Sequence, residues 1–156
     1  MDRKITLPEL PYDEWNHTRM TLHLIMQIIG KIRLKMMPRK NHWWNLTIYV
    51  SPKGFTTSSI PYDNGIKSFQ ITVDVHNLKV IVEFSDDGLS EVPLNNELTV
   101  ANFYNRIHEI LNEKGIHPNV VNQTFDLPIK KKFTDIEDYH HYNKDYLIRF
   151  WTAMQW

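Results

Sequence analysis

At 156 residues, 42% hydrophobic and 23% charged, the chain has an ordinary globular composition and a length that fits one domain over residues 1–156. Its 18 Lys and Arg balance 18 Asp and Glu, which argues against nucleic acid as a principal ligand because phosphate binding draws on a basic excess or face. The absence of cysteine excludes disulfides, thiolate metal sites and thiol nucleophiles, and fits a reducing compartment.

Residues 1–11, with Pro8 and Pro11, read as an extended lead-in rather than the apolar core of a signal peptide. The spacing then predicts a helix from about Asp13 to Met37, stopped by Pro38. Leu22, Ile25, Ile28, Ile29 and Ile32 recur at helical spacing, and Leu24 and Met26 widen the apolar arc, so this helix belongs at the centre of the core. The apolar cluster Leu24–Ile29 is interrupted by Gln27 and far too short to cross a bilayer, so the expectation is a cytoplasmic protein without membrane contact.

A β region follows. Leu46 to Val50 reads as a strand, Pro52-Lys53-Gly54 as a turn, and Phe55 to Ile60 as a second strand. Asn64-Gly65 marks a turn with positive φ. Phe69, Ile71, Val73 and Val75 then alternate with polar residues as in a half-buried strand. His76-Asn77 and Asp86-Asp87-Gly88 punctuate two further strands. Thr99 caps a second helix with Val100, Phe103, Tyr104, Ile107, Ile110 and Leu111 on its apolar face, and Gly115 and Pro118 end it. One more short strand is expected between Val120 and Ile129. Residues 130–142 read as a solvated loop, and 143–156 as a terminal helix. The fold class is α+β: an antiparallel meander of four or five strands on the long first helix, with a second and a C-terminal helix alongside.

Two groups of residues suggest a site. On the first helix Asn16, Arg19, His23, Gln27, Gly30 and Lys31 share one wedge, which is either a solvated stripe or the floor of a pocket. Gly30, costly in mid-helix, would be explained by close approach of a backbone or ligand. Asn41-His42-Trp43-Trp44 sets an imidazole and an amide beside two indoles, a composition common in binding sites. If it enters a strand, one ring faces the core and the other the site. His17 and His23 lie on different sides of a helix, and His140 and His141 point apart in regular structure. No HExxH pair is present, so no metal and no other cofactor is predicted. The serines lack a GxSxG context. The basic run Lys31, Arg33, Lys35, Arg39 and Lys40 reads as the solvated end of the helix, well placed against its dipole.

Thr21-Leu22-His23-Leu24, Gln27, Gly30-Lys31, Arg33-Leu34, the NHWW element, Gly54, Thr56-Thr57 and Ile60-Pro61-Tyr62 resemble an uncharacterised bacterial family catalogued as domain of unknown function DUF5996. Phe103-Tyr104 and Phe150-Trp151 extend the similarity over nearly the whole chain. The resemblance brings no activity and no catalytic residue. It implies that His23, Gln27 and Lys31 are signature positions. It also implies that the chain corresponds to the N-terminal part of a longer architecture, completed by a second part or another chain.

The functional expectation is a domain binding a small polar or anionic molecule through Arg19, His23, Gln27, Lys31, Asn41, His42, Trp43 and Trp44. The alternatives are a hydrolase- or lyase-like enzyme with His23 or His42 as general acid or base, and an interaction module. In the interaction module Phe150, Trp151, Met154 and Trp156 meet a homodimer partner or another chain.

Overall fold

The computed structural model describes residues 6–156. The expected lead-in therefore falls partly, at Met1–Ile5, outside the described residues, and residues 6–11 form no regular element. Helix α1 spans Tyr12–Met36, with Asp13 and Glu14 in its first turn and Arg33 and Lys35 in its last, the arrangement the helix dipole favours. It ends because Pro38 forces Met37 into extended backbone, at ψ 136°. Leu24, Ile25, Ile28, Ile29 and Ile32 are fully buried, as the wide apolar arc requires. Among the described residues no helix is long and apolar enough to cross a membrane.

The sheet is antiparallel throughout and comprises β1 (Tyr49–Ser51), β2 (Gly54–Thr56), β3 (Ile60–Tyr62), β4 (Lys67–Asp74), β5 (Lys79–Phe84) and β6 (Leu89–Pro93). It runs in the order β1-β2-β4-β5-β6, and β3 also pairs with β4. Thr56 pairs with Thr72 and Ile60 with Phe69, so β2 and β3 lie one after the other along the same edge of β4. The strand expected from Phe55 to Ile60 is thus broken at 57–59, where Ser58 adopts φ +54°. Arg33 fills the break: it is only 1% exposed, and its Nη1 donates to the Thr57 carbonyl and to Ser58 Oγ at 3.3 Å. Its guanidinium also lies 5.5 Å from the ring centre of Tyr49. The reading of Arg33 as part of a solvated basic run is therefore corrected. A carbonyl released by the strand break gives the buried cation a partner.

Other expectations shift as well. The first strand begins at Tyr49, not Leu46, because Asn41–Leu46 forms short 3-10 turns. Gly54 is required by space as well as by its φ of +149°, since an added Cβ would stand 2.1 Å from the Val73 carbonyl oxygen. Asp63 and Asn64 have positive φ ahead of Gly65, as the Asn-Gly signal indicates. Residues 120–129 form no strand. They run as a loop, tied to Thr134 through both ends of the Asn122 amide.

Helix α2 (Val100–Glu113) is capped by Thr99, whose Oγ1 accepts from the Asn102 amide at 3.1 Å, and Gly115 with φ +72° follows its end. Its buried Val100, Phe103, Ile107, Ile110 and Leu111 join α1 and the sheet in one hydrophobic cluster. The stretch 130–142 is not simply solvated: Phe133 and Ile136 are fully buried in that cluster.

Helix α3 (Lys144–Met154) starts at Asn143, whose side chain accepts from the Tyr146 amide. It docks on the rest of the molecule. Trp151 Nε1 donates to the Ser51 carbonyl at 2.8 Å, and Phe150 lies between Trp15 and Phe55 with ring centres 5.4 and 5.7 Å away. Trp156 remains 77% exposed.

Candidate functional site

Positions 15, 19, 22, 23 and 26 of α1 recur every three or four residues and face the same way. They form one wall of a cavity of about 390 Å³. Ile48, Val50 and Phe55 from the β1–β2 region form a second wall, and Phe150 and Met154 of α3 a third. The lining is apolar and aromatic except for Arg19 and His23.

Arg19 is held in place by its own helix. Its Nη2 donates to Asn16 Oδ1 at 2.7 Å and to the Tyr12 hydroxyl at 3.0 Å. Its Nε is buried without a partner, and Arg19 makes no salt bridge among the described residues. His23 Nε2 lies 3.3 Å from Gln27 Nε2. The Gln27 amide is fixed at both ends by one residue: Nε2 donates to the Phe125 carbonyl at 2.6 Å, and Oε1 accepts from the Phe125 amide at 2.9 Å. Flipping the amide would break both bonds, so it is Gln27 Nε2–H that donates to His23. His23 Nε2 is then an acceptor and Nδ1 carries the proton. Partial desolvation, followed by the charge of Arg19, holds the imidazole below its ordinary pKa, which favours this neutral form.

A second concavity, of about 530 Å³, is lined by the consecutive residues Arg39, Lys40, Asn41, His42 and Trp43. His42 and Trp43 both adopt left-handed backbone, with φ of 55° and 59°. The buried Asn45 side chain accepts from the Lys40 amide and draws the loop closed. The Arg39 guanidinium stacks 5.0 Å from the centre of the Trp43 ring. No residue lines both concavities.

A family model described as a family of unknown function (DUF5996) matches residues 7–156. The chain belongs to this family. No curated protein and no solved structure matches it.

In this DUF5996 chain the expected site residues are divided. Arg19 and His23 share the first cavity, with Gln27 behind His23 as its hydrogen-bond partner. Asn41, His42 and Trp43 line the second, while Lys31 and Trp44 line neither. The expectation that one tryptophan enters the core is overturned, since Trp43 and Trp44 are 57% and 65% exposed. They sit in a left-handed turn, where the alternation of a strand does not apply. Gly30 meets no close neighbour, as an added Cβ would find nothing within 4 Å. His140 and His141 do not point apart. In their irregular segment the rings stack at 4.8 Å, and His17 joins them 5.0 Å from His141.

Sequence reasoning missed most of the cavity wall of this DUF5996 protein. Trp15 lies four residues before Arg19 and eight before His23, so the helical wedge carried a signal for it. Phe150 and Met154 were visible as an unusually apolar end of the chain, but their target was not. Ile48, Val50, Phe55 and the Phe125 anchor gave no local sign.

Proposed function

We propose that this chain is a small-molecule-binding domain whose ligand seats an apolar body in the cavity between α1, β1–β2 and α3. One observation carries the reading: an apolar, aromatic-walled cavity of about 390 Å³ with two polar side chains, Arg19 and His23, on its lining. A concave apolar lining with a few fixed polar groups is the usual composition of a small-molecule site, and this volume lies at the lower end of their range. The ligand is thus less polar than the composition of the helix wedge alone suggested. Asn41, His42 and Trp43 belong to a separate concavity and take no part in this reading. His23 has an amide rather than a carboxylate as its hydrogen-bond partner, which fits a fixed donor better than an activated base.

The test uses the neutral fluorophore N-phenyl-1-naphthylamine, whose emission rises in apolar surroundings. Saturable binding is expected, and Val50→Trp should abolish it by filling the mouth of the cavity. Val50 is 39% exposed, so the larger ring is tolerated without repacking the core. Absence of saturable binding to the unmutated chain, or undiminished binding to Val50→Trp, would overturn the reading.

A further inference from the structure

We infer that the molecule taken by this cavity is an amphipathic monocarboxylate, with Arg19 and His23 receiving its carboxylate and the aromatic walls its body. The inference rests on the binding reading above and adds the ligand's chemical class. Every polar group on the lining is a donor. Arg19 offers only N–H groups, and His23, with Nε2 occupied by Gln27, offers its Nδ1–H. The indole of Trp15 is likewise a donor only. No carboxylate, carboxamide or hydroxyl side chain lines the cavity, so a ligand's polar end has to be an acceptor.

Charge narrows the class. Arg19 makes no salt bridge among the described residues, and Glu14 on the same helix accepts from the Tyr146 hydroxyl at 2.5 Å instead. A guanidinium beside apolar walls, with no carboxylate partner among the described residues, favours an anion. Tyr12 and Asn16 hold Nη2, which fixes the guanidinium plane before a ligand arrives. One guanidinium with one neutral imidazole matches a single negative charge; with both Nη2 hydrogens held by Tyr12 and Asn16, Nη1 and the His23 Nδ1–H are left to donate to the two oxygens of a carboxylate. Phe150, Trp15 and Phe55, with ring centres 5.4 and 5.7 Å from the central ring, suit a flat or flexible hydrocarbon body.

The experiment is competition against bound N-phenyl-1-naphthylamine on the full chain at pH 7.5, with 3-phenylpropionate compared with 3-phenyl-1-propanol. The acid should displace the fluorophore at a ~10-fold lower concentration than the alcohol. With each competitor measured against the fluorophore's own affinity for the variant, Arg19→Met should bring the two within ~2-fold of each other, and Arg19→Lys should keep part of the difference. A second reading needs no substitution. The acid, and not the alcohol, should move the His23 ring resonances and raise their titration midpoint, since an anion beside an imidazole favours its charged form. Equal potency of acid and alcohol, an acid advantage that survives Arg19→Met, or His23 resonances blind to the acid would each overturn the inference. Binding of the fluorophore without an acid advantage would sink this inference alone. Failure of the fluorophore to bind would sink the reading beneath it too.

Discussion

The cavity between α1, β1–β2 and α3 and the concavity of the 39–43 loop are built in opposite ways. The first draws its walls from α1, β1–β2 and α3, residues as far apart as Trp15 and Met154, and each wall is fixed by core packing or by a hydrogen bond such as Trp151 to Ser51. The second is the inside of one loop, five consecutive residues held by two left-handed residues and the Asn45 side chain. The first is a consequence of the fold. The second is a consequence of local backbone, so the two should respond differently to the same kinds of perturbation.

The sharpest separation comes from truncating one wall of the first cavity. Phe150→Ala removes the ring between Trp15 and Phe55 and should cost about 2–4 kcal/mol, read from denaturant midpoints, with loss of apolar probe binding. Trp44→Ala, on the loop and 65% exposed, should stay within about 0.5 kcal/mol. A comparable loss from both would break the distinction.

Acid should act through the fold as well. His23, His108 and His141 all have pKa values lowered from 6.5, chiefly by desolvation, with Arg19 adding to the effect at His23 and with His140 and His17 adding to it at His141. The unfolded chain therefore binds more protons as pH falls below about 6.5. The stability these neutral imidazoles contribute is complete above that value and is lost as pH drops through their lowered folded values. Thermal midpoints at pH 7.5 and 5.0 should differ in that direction, and His141→Asn should flatten the slope. A midpoint that rises on acidification would contradict the desolvation of these rings in the folded chain.

Glycine should have opposite effects in the two regions. His42→Gly relieves a left-handed conformation that costs a side chain about 1–2 kcal/mol, and should raise stability by up to about 1 kcal/mol. On α1, Gly30→Ala should also stabilise, by about 0.5–1 kcal/mol, because the new Cβ meets nothing within 4 Å. A loss at Gly30 would mean that something approaches that face closely in the protein at work.

The sequence made much of the architecture legible where the cause is local. The apolar arc of α1, the Thr99 cap and Gly115 end of α2, the alternation of β4 and the Asn64-Gly65 turn all depend on residues within a few positions of one another. What escaped depends on distant partners. The break between β2 and β3 reflects an arginine 24 residues earlier, and the Gln27–Phe125 bond spans 98 residues. The wedge on α1 sets Arg19 and His23 on one face, and both line the first cavity. The NHWW element drew attention to a real concavity but suggested the wrong surroundings, because two consecutive left-handed residues carry no signature when neither is glycine.

Arg33 has a consequence for how faithfully the chain pairs its strands. A guanidinium sealed in the interior is tolerable only while the Thr57 carbonyl and Ser58 hydroxyl stand opposite it. Sliding the β2–β3 edge by one residue would withdraw both and turn the buried faces of those short strands outward. Three-residue strands have little hydrogen bonding of their own with which to resist such an error. The cation supplies the discrimination they lack, acting as a proofreading contact that makes one alignment far cheaper than its neighbours.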